Sequence, residues 1–170
     1  MDIASYIRDI PDFPKPGILF KDITPLLKNA EAFKYSIELL TEPFKGDEID
    51  YVVSIESRGF IFGVPMANAL NAGFIPIRKP GKLPAATLDV TYDLEYGQDT
   101  LCIHKDSLEP GSKVLLVDDV LATGGTMKAA IELISKLEAE VVGISFLLEL
   151  EFLNGRKKIS NHRINSQIVV

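Results

Sequence analysis

Two stretches of this chain share one order: a short apolar run rich in β-branched residues, a turn carrying charge or glycine, a helical pattern, then a second apolar run. In the first, Tyr51, Val52, Val53, Ser54 and Ile55 lead through Glu56, Ser57, Arg58 and Gly59 into a helical pattern over 61–70. Pro65 falls near the first turns of that helix, and a strand is predicted over 73–77. In the second, a buried-type strand over 113–117 leads to a helix over 126–137, with Met127, Ala130, Ile131, Ile134 and Leu137 on its apolar side. A strand over 140–148 follows. Strands alternating with helices predict an α/β fold: a central, mostly parallel sheet covered on both faces by helices, with its ligand site beyond the strand C-termini. The loops that begin near Glu56, Arg78 and Asp118 are therefore expected to converge.

The rest of the chain fits around this frame. A length of 170 residues with 46% apolar composition supports one sizeable core, so a single domain over 1–170 is expected. A net charge of -6 with 25% charged residues leaves no electrostatic footprint for nucleic acid. Cys102 is the only cysteine, which excludes an internal disulfide or a cysteine-based zinc cluster and suits a small buried hydrophobe in a reducing compartment. Residues 1–9 hold no apolar run long enough for a signal peptide, and no segment approaches the ~20 residues needed to cross a bilayer, so a cytoplasmic protein with no membrane partner is expected. Pro11, Pro14 and Pro16 predict a shaped loop, and Phe33, Ile37 and Leu40 predict a helix over 30–40. Residues 78–84, Arg-Lys-Pro-Gly-Lys-Leu-Pro, read as a mobile basic loop too broken to join the core. Residues 90–94 and 100–104 suit a hairpin-like flap, and 168–170 a short edge strand. His104 and His162 lack partner spacing and read as structural or surface residues.

The strongest local pattern is Val117-Asp118-Asp119-Val120-Leu121-Ala122-Thr123-Gly124-Gly125-Thr126, which joins a strand to a helix. A helix N-terminus offers unpaired N–H groups and a partial positive charge of ~0.5, a seat for phosphate. Gly124 and Gly125 let the backbone approach closely, and Thr123 and Thr126 add hydroxyl donors. Asp118 and Asp119, just upstream, suit sugar hydroxyls or a hydrated cation. A phosphorylated sugar satisfies both halves. No lysine follows the glycine pair as a Walker A loop requires. The competing explanation is that the acids cap a helix and the glycines make a turn.

This segment resembles the phosphoribosyl-pyrophosphate signature of the type I phosphoribosyltransferases. Three more segments resemble the adenine-specific family among them: Phe13 through Pro25, Glu56-Ser57-Arg58-Gly59-Phe60-Ile61-Phe62-Gly63, and residues 78–84 together with Leu94-Glu95-Tyr96-Gly97. The resemblance runs from about Pro11 to Leu150. It implies the type I phosphoribosyltransferase fold with a small N-terminal hood over about 1–30 and a flexible loop and flap over about 78–105. It also implies a homodimer and a magnesium-dependent transfer of phosphoribose from 5-phosphoribosyl-1-pyrophosphate (PRPP) to adenine, giving AMP for purine salvage. Carried over residue by residue, Asp118 and Asp119 hold the ribose hydroxyls and touch the metal indirectly, while Ala122, Thr123, Gly124, Gly125 and Thr126 hold the 5-phosphate. Ser57 and Arg58 lie at the pyrophosphate, and the resemblance allows a cis Glu56–Ser57 peptide. Ile18, Leu19, Phe20 and Lys21 match the hood segment around adenine.

Mechanistic expectations follow. Pyrophosphate is a highly charged leaving group, so Arg58, Arg78 and the loop lysines Lys79 and Lys82 are candidates to stabilise it, with arginine able to bind bidentately. The competing reading of residues 78–82 is a solvated basic loop, and for Lys79 alone that reading is preferred. Glu95 is the candidate acid/base for a purine proton. Phe20 would stack on the base or belong to the core. Two other functions remain open at this point: a sensor of the same sugar phosphate without turnover, and an enzyme for another base.

Overall fold

The computed structural model describes residues 1–94 and 96–170, and these form two compact units, Met1–Leu39 and Leu40–Val170. In the first unit, β1 (Arg8–Ile10) pairs antiparallel with β2 (Phe20–Asp22) across the proline loop, in which the Phe13–Pro14 bond is cis. Asp12, at φ 56, accepts the Gly17 N–H at 2.8 Å, and Arg8 clasps Asp22 across the ribbon. The short helix α1 (Thr24–Lys28) starts with Pro at its first turn and runs almost directly into α2 (Ala30–Thr41). The expected hood boundary near residue 30 thus falls at the start of α2, and the first unit continues along that helix to Leu39.

The second unit is the sheet. Its elements are β3 (Tyr51–Ile55), α3 (Arg58–Leu70), β4 (Gly73–Ile77), β5 (Thr87–Asp93), β6 (Gln98–His104), β7 (Lys113–Leu121), α4 (Gly125–Lys136), β8 (Glu140–Glu149) and β9 (Ile164–Val169). Among the described residues β4, β3, β7, β8 and β9 form, in that order, a five-stranded sheet in which every pairing is parallel. That is the predicted frame. Helix α3 packs on β3 and β7, and α4 packs on β8 and the β5–β6 hairpin. Val53, Val114, Leu116, Ile144 and Phe146 of the strands and Ala130, Leu133 and Ile134 of α4 belong to one buried core.

Four boundaries differ from the sequence reading, three of them because strand pairing continues further than the local pattern. Helix α3 begins at Arg58, so Pro65 lies in its interior. Without an N–H, Pro65 leaves the Ile61 carbonyl without its usual helical donor. β7 continues past Val117 through the acidic pair because β8 keeps pairing with it, Asp118 opposite Phe146 and Leu121 opposite Glu149. The hairpin is longer than expected, with Thr87 opposite His104 and Asp93 opposite Gln98. The edge strand β9 starts at Ile164, since Ile144, Ser145 and Phe146 offer it a parallel ladder. Cys102 is buried as expected, and burial pushes its thiol up to about 11.

Candidate functional site

The chain leaves β3 toward β4 on one side of the sheet and leaves β7 toward β8 and β9 on the other. Strand order therefore reverses between β3 and β7, and in open α/β sheets the ligand crevice lies outside the carboxyl ends of the strands at such a point. The ends of β3, β4 and β7 meet there, with Ile55 opposite Ile77 and Ser54 opposite Val117.

The turn after β3 is short, and its Glu56–Ser57 peptide is cis. Ser57 stands at the N-cap of α3 without a side-chain capping hydrogen bond. Arg58, in the first turn, reaches the end of β7, its Nε 2.9 Å from Oδ2 of Asp119. The two chain segments touch at a second point. A Cβ on Gly59 would stand 2.9 Å from Asp118 Oδ1 and 3.3 Å from the Val117 carbonyl oxygen, so a side chain there would have to displace the Asp118 carboxylate.

Because Asp118 and Asp119 are successive residues of a paired strand, they face opposite sides of the sheet and differ in environment. Asp119 is 4% exposed, while Asp118 is half-buried and accepts the Asp119 N–H at 2.9 Å. Burial, and next the charge of Asp119, pushes the Asp118 carboxyl well above its ordinary value, with Arg58 opposing. An acid pair, one member buried and the other half-buried, beside the Arg58 guanidinium is short of positive charge. Hard oxygen donors of this kind fit a magnesium ion that takes its remaining ligands from phosphate, sugar and water. Among the described residues no cluster of three or more His, Cys, Asp or Glu could hold a metal by itself.

The loop after β7 shows whether the acids cap the helix that follows. The N-cap of α4 is Gly124, at φ 83 and without a side-chain cap, so the acids do not cap this helix. Its leading N–H groups keep the partial positive end of a 12-residue helix for an anion. Ala122, Gly125 and Thr126 are half-buried around it, Gly124 is buried, and Thr123 is exposed.

The basic loop is less detached than its composition predicts. Arg78 exchanges two backbone hydrogen bonds with Cys102 of β6, at 2.9 and 2.8 Å. Its Nε lies 3.4 Å from Oε1 of Glu56, and the same oxygen accepts the Lys79 N–H at 2.6 Å. Lys79, which also read as a solvated lysine, forms an ion pair with Asp99. Lys82 is exposed. The structure thus joins Arg58, Asp118 and Asp119 directly, and ties Arg78 and Lys79 to the same turn through Glu56.

Several residues of this network had no role in the sequence reading. The Tyr92 hydroxyl of the hairpin lies 3.2 Å from Thr126 Oγ1 and 3.4 Å from Asp99 Oδ2, linking the glycine loop to the Lys79 ion pair. Gly155 packs against the backbone of residues 122–124. A tyrosine in an alternating strand and a glycine in a polar tail carry no local signal for such contacts. Within the first unit, Ile18 and Leu19 are exposed, and Phe20 is half-buried with its ring centroid 5.1 Å from that of Phe13, so it is not core. Lys21 is bound by its side chain to Asp9 at 2.7 Å. Glu95 lies outside the described residues. His104 accepts the Ala85 N–H through Nε2 at 3.3 Å, a structural use.

Comparison with known proteins agrees with this geometry. Residues 22–167 match the model of the phosphoribosyl transferase domain. The chain is 59% identical over 164 residues to the adenine phosphoribosyltransferase of Halothermothrix orenii, with 96% of each chain covered. The crystal structure of adenine phosphoribosyltransferase from Thermoanaerobacter pseudethanolicus superposes with a TM-score of 0.96 at 54% identity, covering 99% of this chain and 98% of that one. The Giardia lamblia enzyme, complexed with 9-deazaadenine, gives 0.94 at 42% identity, covering 99% and 96%. With the signature loop, the acid pair and the full-length similarity in agreement, the chain belongs to the adenine phosphoribosyltransferase family, with the type I phosphoribosyltransferase fold.

Proposed function

We propose that this chain makes AMP by joining adenine to PRPP with release of pyrophosphate. The observation that carries the reading is the uncapped glycine loop at the N-terminus of α4, preceded by an acid pair whose buried member, Asp119, Arg58 reaches from the neighbouring turn. Full-length similarity to adenine phosphoribosyltransferases supports the choice of base, and the Giardia relative is complexed with an adenine analogue.

In this reading Ala122, Thr123, Gly124, Gly125 and Thr126 hold the 5-phosphate, through backbone N–H groups and the threonine hydroxyls. Asp118 and Asp119 accept hydrogen bonds from the ribose hydroxyls and orient a hydrated magnesium ion. A magnesium ion held beside Asp118 and Asp119 would supply positive charge against the departing pyrophosphate. Adenine N9 forms a bond to sugar C1 while the bond from C1 to the pyrophosphate oxygen breaks, and the N9 proton leaves to a base. Positive charge builds on the sugar ring and negative charge on the leaving group. Ser57, Arg58, Arg78, Lys79 and Lys82 meet that negative charge; arginine fits phosphate oxygens in pairs where lysine acts as a point charge. Glu95 is the proposed acid/base. Ile18, Leu19, Phe20 and Lys21 take the base. Since the Lys21 ammonium is engaged by Asp9, its contribution to adenine is a backbone contact.

The 170 residues act as one phosphoribosyltransferase domain that works as a cytoplasmic homodimer. No helix among the described residues is long and apolar enough to cross a membrane. The test is AMP formation from PRPP and magnesium with adenine, hypoxanthine, guanine and xanthine offered in parallel. Turnover confined to adenine is expected. Turnover of an oxopurine in preference to adenine would overturn the base assignment, and binding of PRPP without any turnover would make the chain a sensor.

A further inference from the structure

The 3-10 turn Gly155–Ile159 meets the glycine loop backbone to backbone. A Cβ on Gly155 would stand 2.9 Å from the Gly124 nitrogen and 3.0 Å from the Thr123 carbonyl carbon, and would overlap the Ala122 carbonyl oxygen outright. A Cβ on Gly124 would in turn stand 2.5 Å from the Gly155 carbonyl oxygen. Both glycines are buried. Neither position tolerates a side chain, because the atoms in the way are backbone and cannot swing aside.

The turn is brought there by the ends of the central strands. Glu149, the last residue of β8, lies opposite Leu121, the last of β7, and Leu150 donates its N–H to the Leu121 carbonyl at 2.9 Å. The chain then reverses at Asn154, at φ 54, and Arg156 returns to grip Glu149 through both carboxylate oxygens, Nε to Oε1 at 3.0 Å and Nη2 to Oε2 at 2.5 Å. Nη2 also reaches Ser166 Oγ of β9 at 3.3 Å. The Glu149 side chain is 6% exposed. A bidentate pair of this kind fixes direction as well as distance, and Gly155 is the residue next to it.

We propose that Gly155, held by the Glu149–Arg156 pair, is a positioning residue for the sugar phosphate: it presses the backbone of Ala122, Thr123 and Gly124 into its phosphate-binding shape before substrate arrives. This rests on the reading that residues 122–126 hold the 5-phosphate. A glycine-rich loop has more backbone freedom to lose on binding than other chain, and a buttress that removes this freedom beforehand raises affinity for the phosphate without touching it. The effect is specific to PRPP, since nothing in the arrangement involves the base.

The experiment varies PRPP and adenine independently in steady-state assays of Arg156→Gln, Arg156→Lys and Gly155→Ala, with ribose 5-phosphate titrated calorimetrically into each and melting curves recorded. Arg156→Gln is expected to raise KM for PRPP and Kd for ribose 5-phosphate roughly tenfold, with KM for adenine within about twofold and a cooperative melt. Arg156→Lys should recover only part of the loss, because an ammonium cannot reproduce the fork. Gly155→Ala should shift the same constants further; should it fail to fold, the arginine variants still decide. Folded Arg156→Gln with wild-type KM for PRPP, or with both KM values raised together, overturns the buttress and leaves the loop assignment standing. Wild-type protein that turns over PRPP but gives no ribose 5-phosphate binding overturns the loop assignment itself, and the buttress with it.

Discussion

The two strand-to-helix turns at the centre of the sheet do the same architectural job in opposite ways. After β3 the chain enters α3 through only Glu56 and Ser57, and the turn delivers long side chains: Arg58 reaches Asp119, and Glu56 holds the Lys79 N–H and stands by Arg78. After β7 it enters α4 through Ala122, Thr123 and Gly124, and the turn delivers backbone, with a left-handed glycine and no side-chain cap. A glycine at or just past each turn also makes a close contact. Gly59 makes room for the Asp118 carboxylate, and Gly124 makes room for the Gly155 backbone while holding φ 83. Under the proposed function, the difference separates two tasks. Charge carried on flexible side chains can follow a leaving group as it moves away, whereas backbone N–H groups hold a phosphate that stays in place throughout the reaction.

The first way to break this comparison is to remove the charge. Arg58→Ala should lower kcat by roughly 10²–10³-fold, the range for losing one group that stabilises developing negative charge. Affinity for ribose 5-phosphate, which has no pyrophosphate, should change little. Single-turnover rates and a ribose 5-phosphate titration measure the two separately. Equal loss in both would mean that the β3 turn serves the same phosphate as the β7 turn.

A smaller effect, in the opposite constant, is expected from Gly124→Ala. The new methyl must take a left-handed backbone and meet the Gly155 carbonyl oxygen, a strain of about 1–3 kcal/mol. That corresponds to roughly a ten- to hundredfold loss in kcat/KM for PRPP, entering through KM. A drop confined to kcat would show that the loop senses the transition state rather than the bound phosphate.

What the sequence makes legible follows the same division. The β7 turn is readable because its chemistry is local: two acids, two threonines and two glycines adjoin a strand and a helix, and their order alone suggests a phosphorylated sugar. Sheet topology is readable because apolar runs of strand length alternate with helical periodicity. Contacts made by the pairing of distant strands are not. Asp118 and Asp119 belong to β7 only because β8 extends beside them, and Gly155 reaches residues 122–124 only because β8 ends opposite the end of β7. Tyr92 meets Thr126 by way of the packing of the hairpin on α4. Arg78 and Lys79 read as solvent-facing because their run is basic and proline-broken, yet Cys102, Glu56 and Asp99 engage them from three separate segments.

The least of the expected effects concerns acid. Arg156's hydrogen bonds, more than Ser166's, hold the Glu149 carboxyl below its ordinary 4.5 in spite of burial. The folded chain therefore binds this proton more weakly than the unfolded chain does. The stabilisation is complete above about pH 4.5 and disappears as pH falls through the lower folded value. Hydrogen bonds to a charged group contribute about 1.5–3 kcal/mol, and with Arg156 45% exposed the low end applies. Urea unfolding of the wild type should lose roughly that much between pH 5 and pH 3 beyond what Arg156→Gln loses, because the variant lacks the largest cause of Glu149's depressed value. Weakening of ribose 5-phosphate binding should accompany this loss. Parallel slopes for the two proteins would mean that the clasp contributes nothing to stability, and the β7 turn would then be held by backbone packing alone.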